Sequence, residues 1–439
     1  MPFSWRKSAD QKPHRSPSSF LLYLEYQFKA GKPPWFIQRR DLPQMFGHAF
    51  YQFIFTAAVL TLVSALPAED IEARASCVVD SVSAASSISS CSAVTINAFT
   101  VPSGSTLTLS PKAGATVTMA GDITFAKTST AGPLFTIDGD NVTFKGTGHK
   151  FNGNGASYWD GKGTNGGVDK PHPLLKQVDL SLMACSQTLT IYIQVQGLWH
   201  LLSIHGDTYF ALFVATTQRE RQVLNSPAQA ISIGNSDGLT FDSITVDNSA
   251  GDTNSLGHNT DGFDVSADDV TIKNSVVKNQ DDCIAINSGS NIVFQNNQCS
   301  GGHGISVGSI STGKTVTDVT ISGNTVTNSM YGLRIKVKAE ATSAKVSGIT
   351  NTISGITKYG VLISQSYPDD AGTPGTGGPI SGVSFTGSAT TVKVGDKAKR
   401  LTVDCGNCSG KWDFSKLTVT GGSAGTIASS SATISGGSY

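Results

Sequence analysis

The residues able to do chemistry are crowded between Asn259 and Lys336. They are Asn259-Thr260-Asp261-Gly262-Phe263-Asp264, Gln280-Asp281-Asp282-Cys283, Gly301-Gly302-His303-Gly304 and Arg334-Ile335-Lys336. Carboxylates held within a few ångström of one another raise the pKa of at least one member. One carboxyl kept protonated beside others kept ionised is the equipment of general acid and general base catalysis. Glycoside hydrolysis needs such a set, with a proton for the leaving oxygen and a base for water. Two plainer readings stand beside it. A single Asp in a loop-rich chain is commonly an Asx-turn residue, and clustered carboxylates also suit calcium.

His303 lies between two glycines, where backbone can approach a ligand closely. It can tune a neighbouring acid or anchor a hydrogen-bond network. Arg334 and Lys336 alternate with apolar residues, so both project from one face of a strand. A guanidinium fork beside an ammonium suits a substrate carboxylate, although a solvated strand face would show the same pattern. Tyr367, after Gln365-Ser366, is a candidate sugar platform or ordinary packing.

These residues act together only if the chain stacks them. Five runs share one form: Leu239–Val246, Val270–Val276, Ile292–Asn297, Val319–Val326 and Ile349–Ile356. Each alternates apolar residues and then bends at Asn, Ser or Gly. From start to start they are 31, 22, 27 and 30 residues apart. Repetition at such periods indicates stacked coils. Short strands with polar corners and few helical windows specify an all-β right-handed parallel β-helix, with Asn suited to left-handed corners. A β-sandwich would need hairpin signals, which are sparse. Asp261 and Asp281 are 20 residues apart, and Asp282 and His303 are 21 apart. Residues one coil apart stack at ~4.8 Å. Adjacent aspartates on a regular strand point to opposite faces, so Asp281 and Asp282 require a strand end or bulge.

Composition narrows the class. The chain has 439 residues, 15% of them charged, and 47 glycines. Residues 1–44 carry eight Lys/Arg and three Asp/Glu, so the remainder is left with 24 basic and 29 acidic residues. A body of net −5 does not bind nucleic acid through a basic field. The seven cysteines fall into local pairs, Cys77/Cys91, Cys283/Cys299 and Cys405/Cys408, with Cys185 left over. Such pairs fit disulfides of a secreted protein; Cys405-Gly-Asn-Cys408 also has redox or zinc spacing. Asn141-Val-Thr143 and Asn407-Cys-Ser409 are N-glycosylation patterns.

The ends and one internal block depart from the coil grammar. Residues 1–44 read as a non-native upstream extension. Residues 45–74 read as a signal peptide, with apolar Phe53–Leu66, followed by a short propeptide; a membrane anchor is the alternative. The domain then runs over 75–439. Its Ala/Ser-rich start, Ser81–Ser90, is expected to form a short helix capping the open end of the solenoid. Residues 177–222 carry bulky apolar residues without Gly/Asn/Ser punctuation. They read as intron read-through, or alternatively as an insertion over the cleft.

From about Cys77 to Tyr439, apart from 177–222, the chain resembles the fungal polygalacturonases, pectinases of glycoside hydrolase family 28, and among these the endo-acting ones. Four blocks carry the likeness in order: Asn259-Thr260-Asp261, Gln280-Asp281-Asp282-Cys283, Gly302-His303-Gly304 and Arg334-Ile335-Lys336. The resemblance implies hydrolysis of α-1,4 links in polygalacturonate with inversion. It implies Asp281 as proton donor, Asp261 and Asp282 activating water, and His303 as helper. Asn259, Arg334, Lys336, Tyr367 and Gln365 would bind substrate. It further implies a secreted protein acting as a monomer, with no metal or other cofactor and no membrane attachment once the signal is removed. The other readings are a rhamnogalacturonan hydrolase, a calcium-dependent pectate lyase, or a carbohydrate-binding β-helix without catalysis.

Overall fold

The computed structural model describes residues 77–178, 190–191, 223–342, 345–350 and 356–439. All of these belong to one unit, Arg74–Tyr439. The upstream extension, the signal and propeptide, and nearly all of 177–222 with Cys185 lie outside the described residues. No helix among the described residues is long and apolar enough to cross a membrane.

The expected solenoid is observed: the fold is a right-handed parallel β-helix. Strands assemble into sheets of four, sixteen and eight members. Sequential strands are not hairpin partners, because each pairs in parallel with the strand one coil away. Thus Phe263 pairs with Ile284, Ile284 with Ile305, Ile305 with Leu333 and Leu333 with Val361. The repeats found in the sequence are register partners too: Leu239 pairs with Val270, and Ile292 with Val319. Alternation decides the faces. Phe263, Ile284, Ile305, Leu333 and Val361 form an apolar row with no measurable exposure. Each such side chain contributes about 1.5–3 kcal/mol through burial, opposed by chain entropy. The intervening row, Asp264, Ala285, Ser306 and Arg334, points the other way.

Corners are made as the sequence suggests. Asn274, Asn291, Asn296 and Asn328 all have φ between 52° and 56°, a region Asn tolerates better than most residues. The N-terminal helix is shorter than expected, Val82–Ala85 rather than Ser81–Ser90. Ser81 caps its start by accepting from Ala84 N–H at 3.3 Å. Ser86 Oγ bonds back to Ser83 O at 2.7 Å, the competition that makes serine a poor helix interior residue. Ala85 and Ile88 nevertheless enter the core. The disulfides Cys77–Cys91, Cys283–Cys299 and Cys405–Cys408 are all formed, so Cys405-Gly-Asn-Cys408 is not a metal pair here.

Candidate active site

Stacked coils bring the four sequence blocks together on the outer face of the sixteen-stranded sheet. Asp261 lies just before strand Phe263–Lys273, Asp282 opens strand Asp282–Gln295, and His303 precedes strand Gly304–Ile310. Gly262 N–H donates to Asp282 O at 2.9 Å, and His303 N–H donates to Asp281 O at 2.8 Å. The requirement for a strand end or bulge is met twice. Asp282 is the first strand residue, and the register slips between Asp282 and Ile284. Backbone approaches so closely beside His303 that a Cβ on Gly302 would lie 2.0 Å from Asp281 O, and Gly302 has φ +53°. The Cys283–Cys299 disulfide ties the coil of the paired acids to the coil that leads into His303.

Asp281 is held by three groups. Its Oδ1 accepts Asp282 N–H at 2.8 Å and lies 2.9 Å from His303 Nδ1; its Oδ2 accepts Asn259 Nδ2–H at 3.0 Å. Asp282 has a different set. Oδ1 accepts Ser306 Oγ–H at 2.7 Å and Arg334 Nη2–H at 2.8 Å, and Oδ2 accepts Lys336 Nζ–H at 2.6 Å. Burial opposes its ionisation, but the charges of Lys336 and Arg334 outweigh burial and hold the carboxyl down at about 2. Asp261 shifts the other way. Burial first, then the charges of Asp281, Asp264 and Asp282, raise it well above the usual carboxylate range, and its Oδ1 is buried without a hydrogen-bond partner.

Arg334 and Lys336 were expected to receive a substrate carboxylate. The structure gives them a first partner inside the protein, Asp282, and each is only 6% exposed. Donors remain on both: Arg334 uses one N–H on Asp282 and Nε on Ser306 at 3.3 Å, and a lysine has three N–H donors in all. Arg334 also lies 4.2 Å over the Tyr331 ring, and Lys336 lies 5.3 Å over Tyr367. Tyr367 therefore stands at the site. Gln365 does not. It is 1% exposed; its Nε2 donates to Gly378 O, and its Oε1 accepts Asn407 N–H at 2.7 Å and lies 2.9 Å from Cys405 Sγ. Its amide is consumed in holding the backbone after Tyr367, which corrects its assignment as a substrate ligand. Asn407 is half-buried, with Nδ2 bonded to Thr376 O at 2.7 Å. Asn141 is exposed.

Three participants were given no role from the sequence. Asp264 faces the same side as the acids; burial first, then the charges of Asp282 and Asp281, push it up to about 7. Strand alternation, with Phe263 inward, was the available signal. Ser306 braces Asp282. Tyr331 packs its ring edge-on to His303 at 5.8 Å and lies parallel to Tyr359 at 6.0 Å. Only the register reveals these two.

One oxygen or nitrogen each from Asp281, Asp282 and His303 lie within 4.8 Å of one another, a spacing that could admit a cation. Two fixed cations already occupy the Asp282 oxygens, so this donor set does not suit a hard metal ion. What the arrangement can do is hold one carboxylate ionised and keep a proton within the same cluster. Four carboxylates face two permanent cations, and like charges at this range cannot all ionise.

Known proteins match this chain over most of its length. The profile of the glycosyl hydrolases family 28 matches residues 91–190 and 210–436. A polygalacturonase of Cochliobolus carbonum is 39% identical over 388 residues, covering 86% of this chain and 96% of that protein. Endopolygalacturonase B of Emericella nidulans is 41% identical, covering 85% and 95%. Among solved structures, endopolygalacturonase I from Stereum purpureum, complexed with two galacturonates, superposes with a TM-score of 0.74 at 61% identity. That match covers 83% of this chain and 100% of that one.

Proposed function

This chain belongs to the glycosyl hydrolases family 28, and from that premise we propose that it is an endo-acting polygalacturonase that cleaves α-1,4-galacturonosyl bonds in pectate. The observation that carries the reading is the divided carboxylate pair. Asp282 is pinned in its charged form by Arg334 and Lys336, while the adjacent Asp281 is left to a neutral amide, a backbone N–H and His303. The relatives are named for polygalacturonate, and the Stereum purpureum protein carries galacturonate.

As general acid, Asp281 gives a proton to the glycosidic oxygen as the C–O bond breaks. Water held by Asp282 and Asp261 attacks the anomeric carbon from the opposite side and surrenders a proton to the cluster. Asp261 serves in its ionised form, in which burial and the neighbouring carboxylates make it the stronger base. Spare donors of Arg334 and Lys336 hold the substrate carboxylate next to the scissile bond, and Tyr367 shapes that subsite.

The stereochemistry rests on a balance of two features. Inverting glycosidases usually separate their carboxyls by ~6.5–9.5 Å and retaining ones by ~5–5.5 Å, and Asp281 and Asp282 approach within 4.8 Å. A covalent intermediate would need Asp282 as a nucleophile, yet three donors already occupy its oxygens, so attack by water with inversion is the better account. The protein is proposed to be secreted as a monomer after loss of residues 45–74, with a glycan at Asn141.

Incubation with polygalacturonate tests the reading. New reducing ends, insensitivity to chelators and no absorbance from unsaturated product are expected. Unsaturated ends would instead make it a lyase. Proton NMR at early times is expected to show the inverted anomer; the retained anomer would overturn water attack.

A further inference from the structure

Asn259 reaches Asp281 with one end of its amide and a distant loop with the other. Its Oδ1 lies 3.1 Å from Thr164 N, 3.3 Å from Thr164 Oγ1 and 3.4 Å from Asn165 Nδ2. A backbone N–H only donates, so Thr164 decides which end of the amide is oxygen. The Nδ2–H end is thereby turned to Asp281 Oδ2. The reversed amide would leave the Thr164 N–H opposed by donors. Thr164 and Asn165 are some 95 residues earlier in the chain than Asn259.

That loop is itself internally tied. Asp160 accepts from Lys170 Nζ at 2.8 Å, Val168 N–H at 2.7 Å and Lys162 N–H at 3.0 Å. The Lys170 side chain is only 1% exposed and also donates to Val168 O at 2.9 Å. Gly161 N–H donates to Leu256 O at 2.9 Å, which docks the loop on the segment preceding Asn259. The fit against Asn259 is tight: a Cβ on Gly163 would lie 2.2 Å from Asn259 Oδ1.

We propose that the 160–170 loop is a positioning element for the proton donor: Thr164 and Asn165 fix the Asn259 amide against Asp281, and the Asp160–Lys170 pair holds the loop in the shape that does so. These four are positioning residues, acting on the reaction through Asn259. The inference deepens the polygalacturonase reading and rests on it. A loop that orients the donor matters most where proton donation limits the rate. It matters least for a substrate whose leaving group departs without a proton.

The test compares polygalacturonate with a nitrophenyl oligogalacturonide in the full chain, in Gly163→Ala, Thr164→Ala, Thr164→Ser and Asp160→Asn. For Gly163→Ala, kcat on polygalacturonate is expected to fall by roughly ten- to a hundredfold. KM should stay within about twofold and the rate on the nitrophenyl substrate within about threefold, since neither depends on the donor. Thr164→Ala is expected to show a smaller loss of the same kind, and Thr164→Ser to restore it. Asp160→Asn leaves Lys170 buried without its partner and can fail to fold; the Gly163 and Thr164 variants leave that pair intact and carry the decision. Equal losses on both substrates, a rise in KM alone, or no change in any variant would overturn the inference. If the unaltered chain cleaves neither substrate, the polygalacturonase reading falls first and this inference with it. If it cleaves both and Gly163→Ala loses both equally, only the inference falls.

Discussion

Two polar stacks run along the same coils of this β-helix and are built to opposite rules. One is the asparagine ladder inside the corners. Asn297 Oδ1 accepts Ser275 N–H at 2.8 Å, its Nδ2 donates to Ile272 O at 3.0 Å, and its own N–H donates to Asn324 Oδ1 at 2.8 Å. Asn324 Nδ2 completes the pattern on Phe294 O at 2.8 Å. Both residues are almost fully buried. The other stack is the carboxylate wall of Asp261, Asp264, Asp281 and Asp282. Neutral amides match the backbone donor for donor, so the ladder stabilises without conflict. Four carboxyls cannot match one another, so the wall retains protons and recruits Arg334 and Lys336 from two coils away. The comparison shows that repetition of polar residues down a solenoid is not itself a sign of function. Incomplete satisfaction of charge is.

The sharpest way to break this contrast is Asp281→Asn. It keeps the shape and removes the proton, so kcat is expected to fall by about 10²–10⁴-fold while pectate binding persists in a sedimentation or calorimetric assay. Full activity in that variant would return Asp281 to the class of ordinary corner residues. Lys336→Met comes next. It deprives Asp282 of one cation and the substrate of one donor, and kcat/KM is expected to drop by roughly 10²–10³-fold, with both kcat and KM affected. A change in KM alone would show that Lys336 serves only the sugar.

Titration of stability separates the members of the wall. The folded chain keeps the Asp264 proton up to about pH 7, whereas the unfolded chain releases it near the ordinary value of 3.8. The folded state therefore binds more protons across that window, and stability falls as pH rises through it, by on the order of a few kcal/mol. Asp261 acts in the same direction. Asp282 acts oppositely: its contribution is present above 3.8 and is lost as pH falls through about 2. Asp264→Asn is expected to flatten the decline in melting temperature between pH 4 and pH 7. An unchanged slope would mean that Asp264 ionises freely in the folded protein.

The ladder provides the smallest catalytic effect. Asn297→Ala leaves buried backbone groups without partners and is expected to cost about 1–3 kcal/mol in denaturant unfolding. The kcat of the folded fraction should be unchanged, since no ladder member touches the acids. A loss of kcat beyond the loss of folded protein would show that the two stacks are coupled.

Much of this could be read from the chain alone. The spacings of Leu239, Val270, Ile292 and Val319 reported the coil length, because each apolar position must land on its counterpart one turn away. That same spacing placed Asp261, Asp281, Asp282 and His303 on one wall, and local pairing of cysteines followed from their closeness. The helix was overextended because serine content alone does not show which hydroxyls turn back onto the backbone. Gln365 was misplaced because a residue two before a platform tyrosine can face either the cleft or the loop beneath it; here Cys405 and Asn407, 40 and 42 residues on, decide.

The sequence by itself determined the fold, the crowd of acids and the order in which the coils carry them, since periodicity and charge are local properties. Tertiary structure decided which acid is ionised. That depends on Arg334 and Lys336 reaching Asp282 across 52 and 54 residues, on Ser306 beneath it, and on a loop near residue 164 turning one amide toward Asp281. Electrostatic energy depends on distances of a few ångström, and only the stacking of distant coils sets them.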